Sequence, residues 1–218
     1  MLLSFYDTST LIGARDKLML MILYNSGVRV SELLSLRYND IYGLDTFGST
    51  SIRIYGKGRK ERTVSLWKST ARYISKYTGS FKVDGNDKLF KNKNGDELTR
   101  SGVRSRIEKL TGLAMEKAPT LSGKNVTAHT FRHSVAMNLL QAGVDISTIA
   151  IWLGHSSIET THKYMAADIE LKRAAMEKAG TSGNSSYNIN HQRYLNYQDT
   201  RSHFSPLKLI PPEIYTTL

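Results

Sequence analysis

The sequence predicts a mainly α-helical chain with one small antiparallel β-sheet, an α+β class. Three observations carry that reading. Seven segments of the 218-residue chain have the length and composition of helices, and a single pair of short alternating runs marks a hairpin. No apolar stretch approaches the roughly 20 residues that a membrane-spanning helix needs.

Gly13 to Tyr24 (GARDKLMLMILY) is dense in helix formers, with Met19, Leu20 and Met21 reading as packing residues, and Asn25-Ser26-Gly27 supplies its stop. Val30 to Tyr38 is expected to form a second, short helix with Val30, Leu33, Leu34 and Arg37 on one face. Ser51 to Tyr55 (SIRIY) and Arg62 to Leu66 (RTVSL) alternate as strands do, and Gly56-Lys57-Gly58-Arg59-Lys60-Glu61 joins them as a hairpin with a cationic tip. Further helices are expected at Ser69 to Thr78, Thr99 to Met115, Thr127 to Ala142, Ser147 to Leu153 and Ile169 to Ala179. From Gly180 the chain turns to Gly, Ser, Asn and Tyr, contains Pro211 and Pro212, and shows no sustained apolar period. The expected division is therefore a folded module over 1–179 and a linker with a tail over 180–218.

Charge is concentrated in that module. The whole chain carries 30 Lys+Arg against 19 Asp+Glu, a net +11, and residues 180–218 hold only Arg193, Arg201 and Lys208 against Asp199 and Glu213. An excess of this size suits a phosphate-binding surface or a solubilising one. The absence of cysteine excludes disulfides, thiolate metal sites and cysteine nucleophiles. With no signal-peptide pattern at the N-terminus, a cytoplasmic address is expected, and no membrane partner.

Three short segments hold candidate chemistry. His129 and Arg132 lie three apart and share a helix face. His155 follows a helix that ends at Gly154, where the terminal carbonyls are expected to favour imidazolium. Tyr164 closes Thr160-Thr161-His162-Lys163-Tyr164 and is one of 12 tyrosines. Each segment alone reads as readily as structure. His133 and His162 are expected to point away from the candidates, Trp152 to sit in the core, and the histidines lack the spacing and acidic partner of a metal site.

In order along the chain, Gly27-Val28-Arg29-Val30-Ser31-Glu32-Leu33, Gly56-Lys57-Gly58, His129-Thr130-Phe131-Arg132-His133, Leu153-Gly154-His155 and Tyr164 resemble the catalytic domain of the tyrosine recombinases, a family that includes lambda-type integrases, the Xer proteins and Cre. The resemblance covers about residues 11–179. His-x-x-Arg, and Leu-Gly-His followed by Tyr nine residues after the His, are its most specific spacings.

What the resemblance implies is the tyrosine recombinase catalytic-domain fold, double-stranded DNA as partner, and a tetramer in the synapse. Arg29 and Arg132 match the family's phosphate-binding arginines, whose guanidinium forks hold two oxygens at once. Tyr164 matches the nucleophile, His129 and His155 the histidines beside the phosphate, and Lys57 the acid that protonates the leaving 5′-oxygen. Glu32 braces Arg29 or His129, or is only an acid favoured in the first turn of a helix. Arg59, Lys60 and Arg62 are expected as DNA-phosphate contacts, although Arg59 and Lys60 also suit a solvated charge run. Because a 3′-phosphotyrosine conserves the ester energy, no cofactor, ATP or metal is expected.

Family members usually carry a helical domain before the catalytic one, and here the resemblance begins within about ten residues of Met1, so that core-binding domain is expected to be absent. Three classes follow from these readings: a recombinase serving integration, excision or transposition; a type IB topoisomerase relaxing supercoils; and a non-catalytic DNA-binding remnant.

Overall fold

The computed structural model describes residues 6–45, 49–56, 58, 60–115, 125–155 and 159–181. The chain divides into two compact units, Met1–Tyr164 and Met165–Leu218. The first begins with α1 (Leu11–Ser26), which is buried on almost every side, as expected of an apolar segment with no polar face. Thr10 caps it through a side-chain oxygen that accepts from the Gly13 amide. It ends at Gly27, where φ of 63° is a left-handed conformation suited to glycine. Asn25, read from sequence as part of the stop, lies within the helix instead; its amide oxygen accepts from the Trp67 backbone and so ties α1 to the chain leaving the sheet.

Helix α2 (Val30–Ser35) stops earlier than expected, and a short 3₁₀ turn occupies Tyr38–Asp40. The sheet has three antiparallel strands in the order β1 (Ile41–Tyr42), β2 (Ser51–Tyr55), β3 (Glu61–Ser65). Strand β1 is a correction to the two-stranded hairpin: two residues are too few to show an alternation. It pairs Ile41 with Ile52 and Tyr42 with Ser51. Ile52 faces Val64 and Ile54 faces Arg62 across β2 and β3, and cross-strand partners share a face. Arg62 therefore points the same way as the fully buried Ile52, Ile54 and Val64.

Helices α3 (Lys68–Phe81), α4 (Arg100–Met115), α5 (Ala128–Gln141) and α6 (Ile146–Leu153) follow near their expected places. A single core gathers α1, Leu33 and Leu36, the inner face of the sheet, Ile74 and Tyr77 of α3, and Val103, Ile107 and Leu110 of α4. Trp152 packs against it, as expected. The last of the described helices, α7 (Glu159–Thr181), begins ten residues before the expected Ile169. Two adjacent β-branched threonines hide its start in the sequence, yet it is this early start that puts Tyr164 on a helix. Among the described residues, no helix is long and apolar enough to cross a membrane.

Candidate active site

The site is built on the C-terminal end of α6. A helix leaves its last carbonyls without intrahelical partners and concentrates partial negative charge there. Here three successive carbonyls each receive one guanidinium. Arg62 Nε donates to Trp152 O at 3.0 Å, Arg132 Nη2 to Leu153 O at 2.7 Å, and Arg29 Nη1 to Gly154 O at 3.1 Å. Gly154 makes this approach possible. Its φ is 65°, and a Cβ there would lie 2.6–3.0 Å from the Arg62 guanidinium.

Arg132 comes from the second turn of α5, whose start is fixed by Thr127 accepting from the Thr130 backbone. Its other amino group donates to Gly27 O at 2.7 Å, so the guanidinium spans the C-terminal ends of α1 and α6. With 4% of the residue exposed, burial first and then the nearby Arg29 cation bring its pKa down to about 10, which leaves it charged at neutral pH. Arg29 is more open, its side chain 41% exposed.

Glu32 is the counter-charge. It accepts from the Arg29 backbone and from Arg29 Nη1, both at 2.9 Å, so the one carboxylate caps α2 and holds the Arg29 side chain. It also takes a bidentate pair from Arg62 at 2.7 and 3.1 Å. Burial alone would raise its pKa, but the bonds from Arg62 and Arg29 outweigh this and hold the carboxyl below its usual range. Three guanidinium charges against one carboxylate leave a local excess of +2.

Arg62 departs from the expected phosphate contact. Its side chain is 10% exposed and its donors go to Glu32 and Trp152, because strand register turns it toward the core side of the sheet. A period of two linking Arg62, Val64 and Leu66 was the sequence signal for this.

Tyr164 is 7% exposed, its ring stacked on His155 with centroids 6.1 Å apart. His133, expected to point elsewhere, instead has its ring 5.1 Å from that of Tyr164. Thr161 is also missed by the sequence reading; it is fully buried, and its hydroxyl bonds His155 Nδ1 at 2.7 Å. The expectation of a favoured imidazolium at position 155 is reversed. Burial, then Arg132, Arg29 and Arg62, lower its pKa to about 4, since the carbonyls that would have stabilised a proton are occupied by arginines.

His129 is exposed on the first turn of α5, and Lys60 and His162 are exposed. Lys57 and Arg59 lie outside the described residues. The structure thus brings Arg29, Glu32, Arg62, Arg132, His155 and Tyr164 into one unit, around a net-positive, partly open cluster beside a phenol. Such an arrangement can bind a phosphodiester and stabilise the charge that grows on its oxygens during displacement.

The model of the phage integrase family matches residues 1–170. The Sinorhizobium fredii protein y4rC, described as an integrase/recombinase, is 40% identical over 85% of this chain and 55% of its own. The tyrosine recombinase XerD of Listeria monocytogenes is 39% identical over 75% of this chain and 54% of its own. The chain spans about half the length of the curated relatives it matches. Among solved structures, the site-specific recombinase XerH bound to its difH substrate in a pre-cleavage complex superposes with a TM-score of 0.65 at 28% identity, over 75% of this chain and 46% of that one.

Proposed function

This chain belongs to the phage integrase family, and from that premise we propose that it cuts and rejoins double-stranded DNA as a tyrosine-type site-specific recombinase. The observation that carries the reading is the meeting of Arg29 and Arg132 on adjacent carbonyls at the end of α6, with Tyr164 lying against His155. A phosphodiester entering there would meet cations already in place, so their reorganisation adds nothing to the barrier.

In the proposed reaction the Tyr164 phenol oxygen attacks phosphorus, a phosphorus–tyrosine bond forms and the bond to the 5′-oxygen breaks. The phenol proton passes to His129, and Lys57 gives a proton to the departing oxygen. A 5′-hydroxyl reverses these steps and rejoins the strand. His155 acts as a neutral hydrogen-bonding partner of the phosphate. Exchange between two duplexes calls for several copies of the chain, consistent with a tetrameric synapse, whereas relaxation of supercoils does not.

A nicked duplex whose cleaved end diffuses away traps the covalent adduct. The chain is expected to give a protease-sensitive, slow-migrating species, unchanged by EDTA, and Tyr164→Phe is expected to give none while binding DNA within a few-fold of the parent. Adduct retained in Tyr164→Phe would remove Tyr164 from the role. Binding with no adduct from the parent chain would leave the DNA-binding remnant as the reading, and relaxation by a monomer without joint products would favour the topoisomerase.

A further inference from the structure

Among the described cations of this site, Arg62 donates to protein acceptors from all three of its nitrogens, whereas Arg132 does so from its two amino groups and Arg29 from one. Arg62 Nη1 and Nη2 both hold Glu32, at 3.1 and 2.7 Å, and Nε holds the Trp152 carbonyl at 3.0 Å. The side chain is 10% exposed, against 41% for Arg29; Arg132 is buried as well, so it is the set of acceptors and not burial that distinguishes Arg62. A cation that grips DNA phosphates must give up water and meet oxygens; this one already meets three oxygens of the protein.

Those three acceptors are informative. Glu32 is the carboxylate that orients Arg29, and Trp152 immediately precedes the two carbonyls that hold Arg132 and Arg29. Arg62 reaches them from β3, on the face that Val64 shares. The backbone also gives way to it, since at position 154 any Cβ would lie 2.6–3.0 Å from its guanidinium. Strand β3, helix α2 and the end of α6 are thus joined by one planar fork, a geometry that an ammonium cannot reproduce.

Resting on the recombinase reading above, we infer that Arg62 is a positioning residue: it locks Glu32 and the turn after α6 so that Arg29 and Arg132 stand ready for the scissile phosphate, and it makes no contact with DNA. The consequence is a separation of binding from chemistry. Loss of the fork leaves affinity and its salt dependence intact and slows the covalent step.

The test compares the full-length chain with Arg62→Lys and Arg62→Met on the nicked trapping duplex, at saturating protein, alongside DNA-binding isotherms across a range of salt. Adduct from the parent chain checks the recombinase reading, and none at all would overturn that reading together with this one. The ratio of variant to parent checks the inference itself. Arg62→Lys keeps charge and bulk and is expected to fold by circular dichroism. Its adduct-forming rate is expected to fall about 10- to 100-fold, the usual effect of a lost orienting contact, with an unchanged salt slope. A second duplex carrying sulfur in place of the 5′-bridging oxygen removes the need for a proton on the leaving group; the deficit is expected to persist there, because Arg62 acts on the phosphate side.

Three results would overturn the inference. One is a salt slope reduced by about one phosphate contact, with the rate recovered at saturation. Another is a deficit abolished by the sulfur substitution. The third is failure of Arg62→Lys to fold, which would make the residue a scaffold element alone. Arg62→Met, if folded, is expected to match Arg62→Lys within about threefold, since both variants lose the fork and the charge that Arg62→Lys alone keeps is not what positions Arg29 and Arg132.

Discussion

Arg132 bears its charge in a place where few cations persist. Its hydrogen-bond acceptors are two carbonyls, and burial with the adjacent Arg29 outweighs the nearby Glu32 and lowers its pKa to about 10. An ammonium cannot reach both Gly27 O and Leu153 O with the same geometry. Arg132→Lys is therefore expected to cost about 1–3 kcal/mol in urea denaturation, the usual penalty of an abandoned buried partner, and to lower adduct formation by about 100-fold or more. His155 makes a pH prediction. The unfolded chain takes up this proton near pH 6.5, the folded one only near 4, so the unfolded state binds more protons in between. The His155 contribution to stability is full above pH 6.5 and is lost as pH falls toward 4. Urea midpoints measured across that range are expected to decline less in His155→Gln than in the parent; an equal decline would show that His155 is not depressed.

At the scale of elements, the end of α6 organises the site, and Gly154 is its most sensitive position. Gly154→Ala forces an L-residue into a left-handed φ of 65° and places a methyl against the Arg62 guanidinium. It is expected to cost about 1–2 kcal/mol from the backbone alone and to displace Arg62, with a lower thermal midpoint and a slower covalent step. Much of this architecture was legible in the sequence. Strand β2 coincides residue for residue with the expected run, and α1, α3, α4, α5 and α6 lie within a few residues of theirs, because apolar period and capping residues act locally. The two-residue β1 and the threonine-rich start of α7 were not legible, since each depends on what it packs against. Within the site, Arg29, Arg132, His155 and Tyr164 are the positions that the family resemblance implies. The destination of Arg62, the buried support from Thr161 and the approach of His133 to Tyr164 required tertiary structure, for sequence lists charges without saying which carbonyl they meet.

For the whole molecule, under the proposed function, a net charge of +11 would bear on how DNA is captured more than on how it is cut. Each phosphate neutralised releases counterions, so the logarithm of the binding constant should fall linearly with that of salt, at about 0.9 per contact. Exposed Lys60, at the tip of the β2–β3 hairpin, is expected to contribute to that slope: Lys60→Ala should make it shallower by about one contact, with no effect on adduct rate at saturation. A flat response in the parent chain would mean that its positive charge serves only as a solvated surface. The central claim, that guanidinium groups gathered at the end of α6 activate one phosphate for attack by Tyr164, is most directly tested by locating the bond that forms. The trapped adduct is digested with nuclease and protease, and the nucleotide remnant is mapped by tandem mass spectrometry. A 3′-phosphate remnant is expected on the peptide containing Tyr164; a remnant on any other of the 12 tyrosines, or on another residue type, would rule out attack by Tyr164.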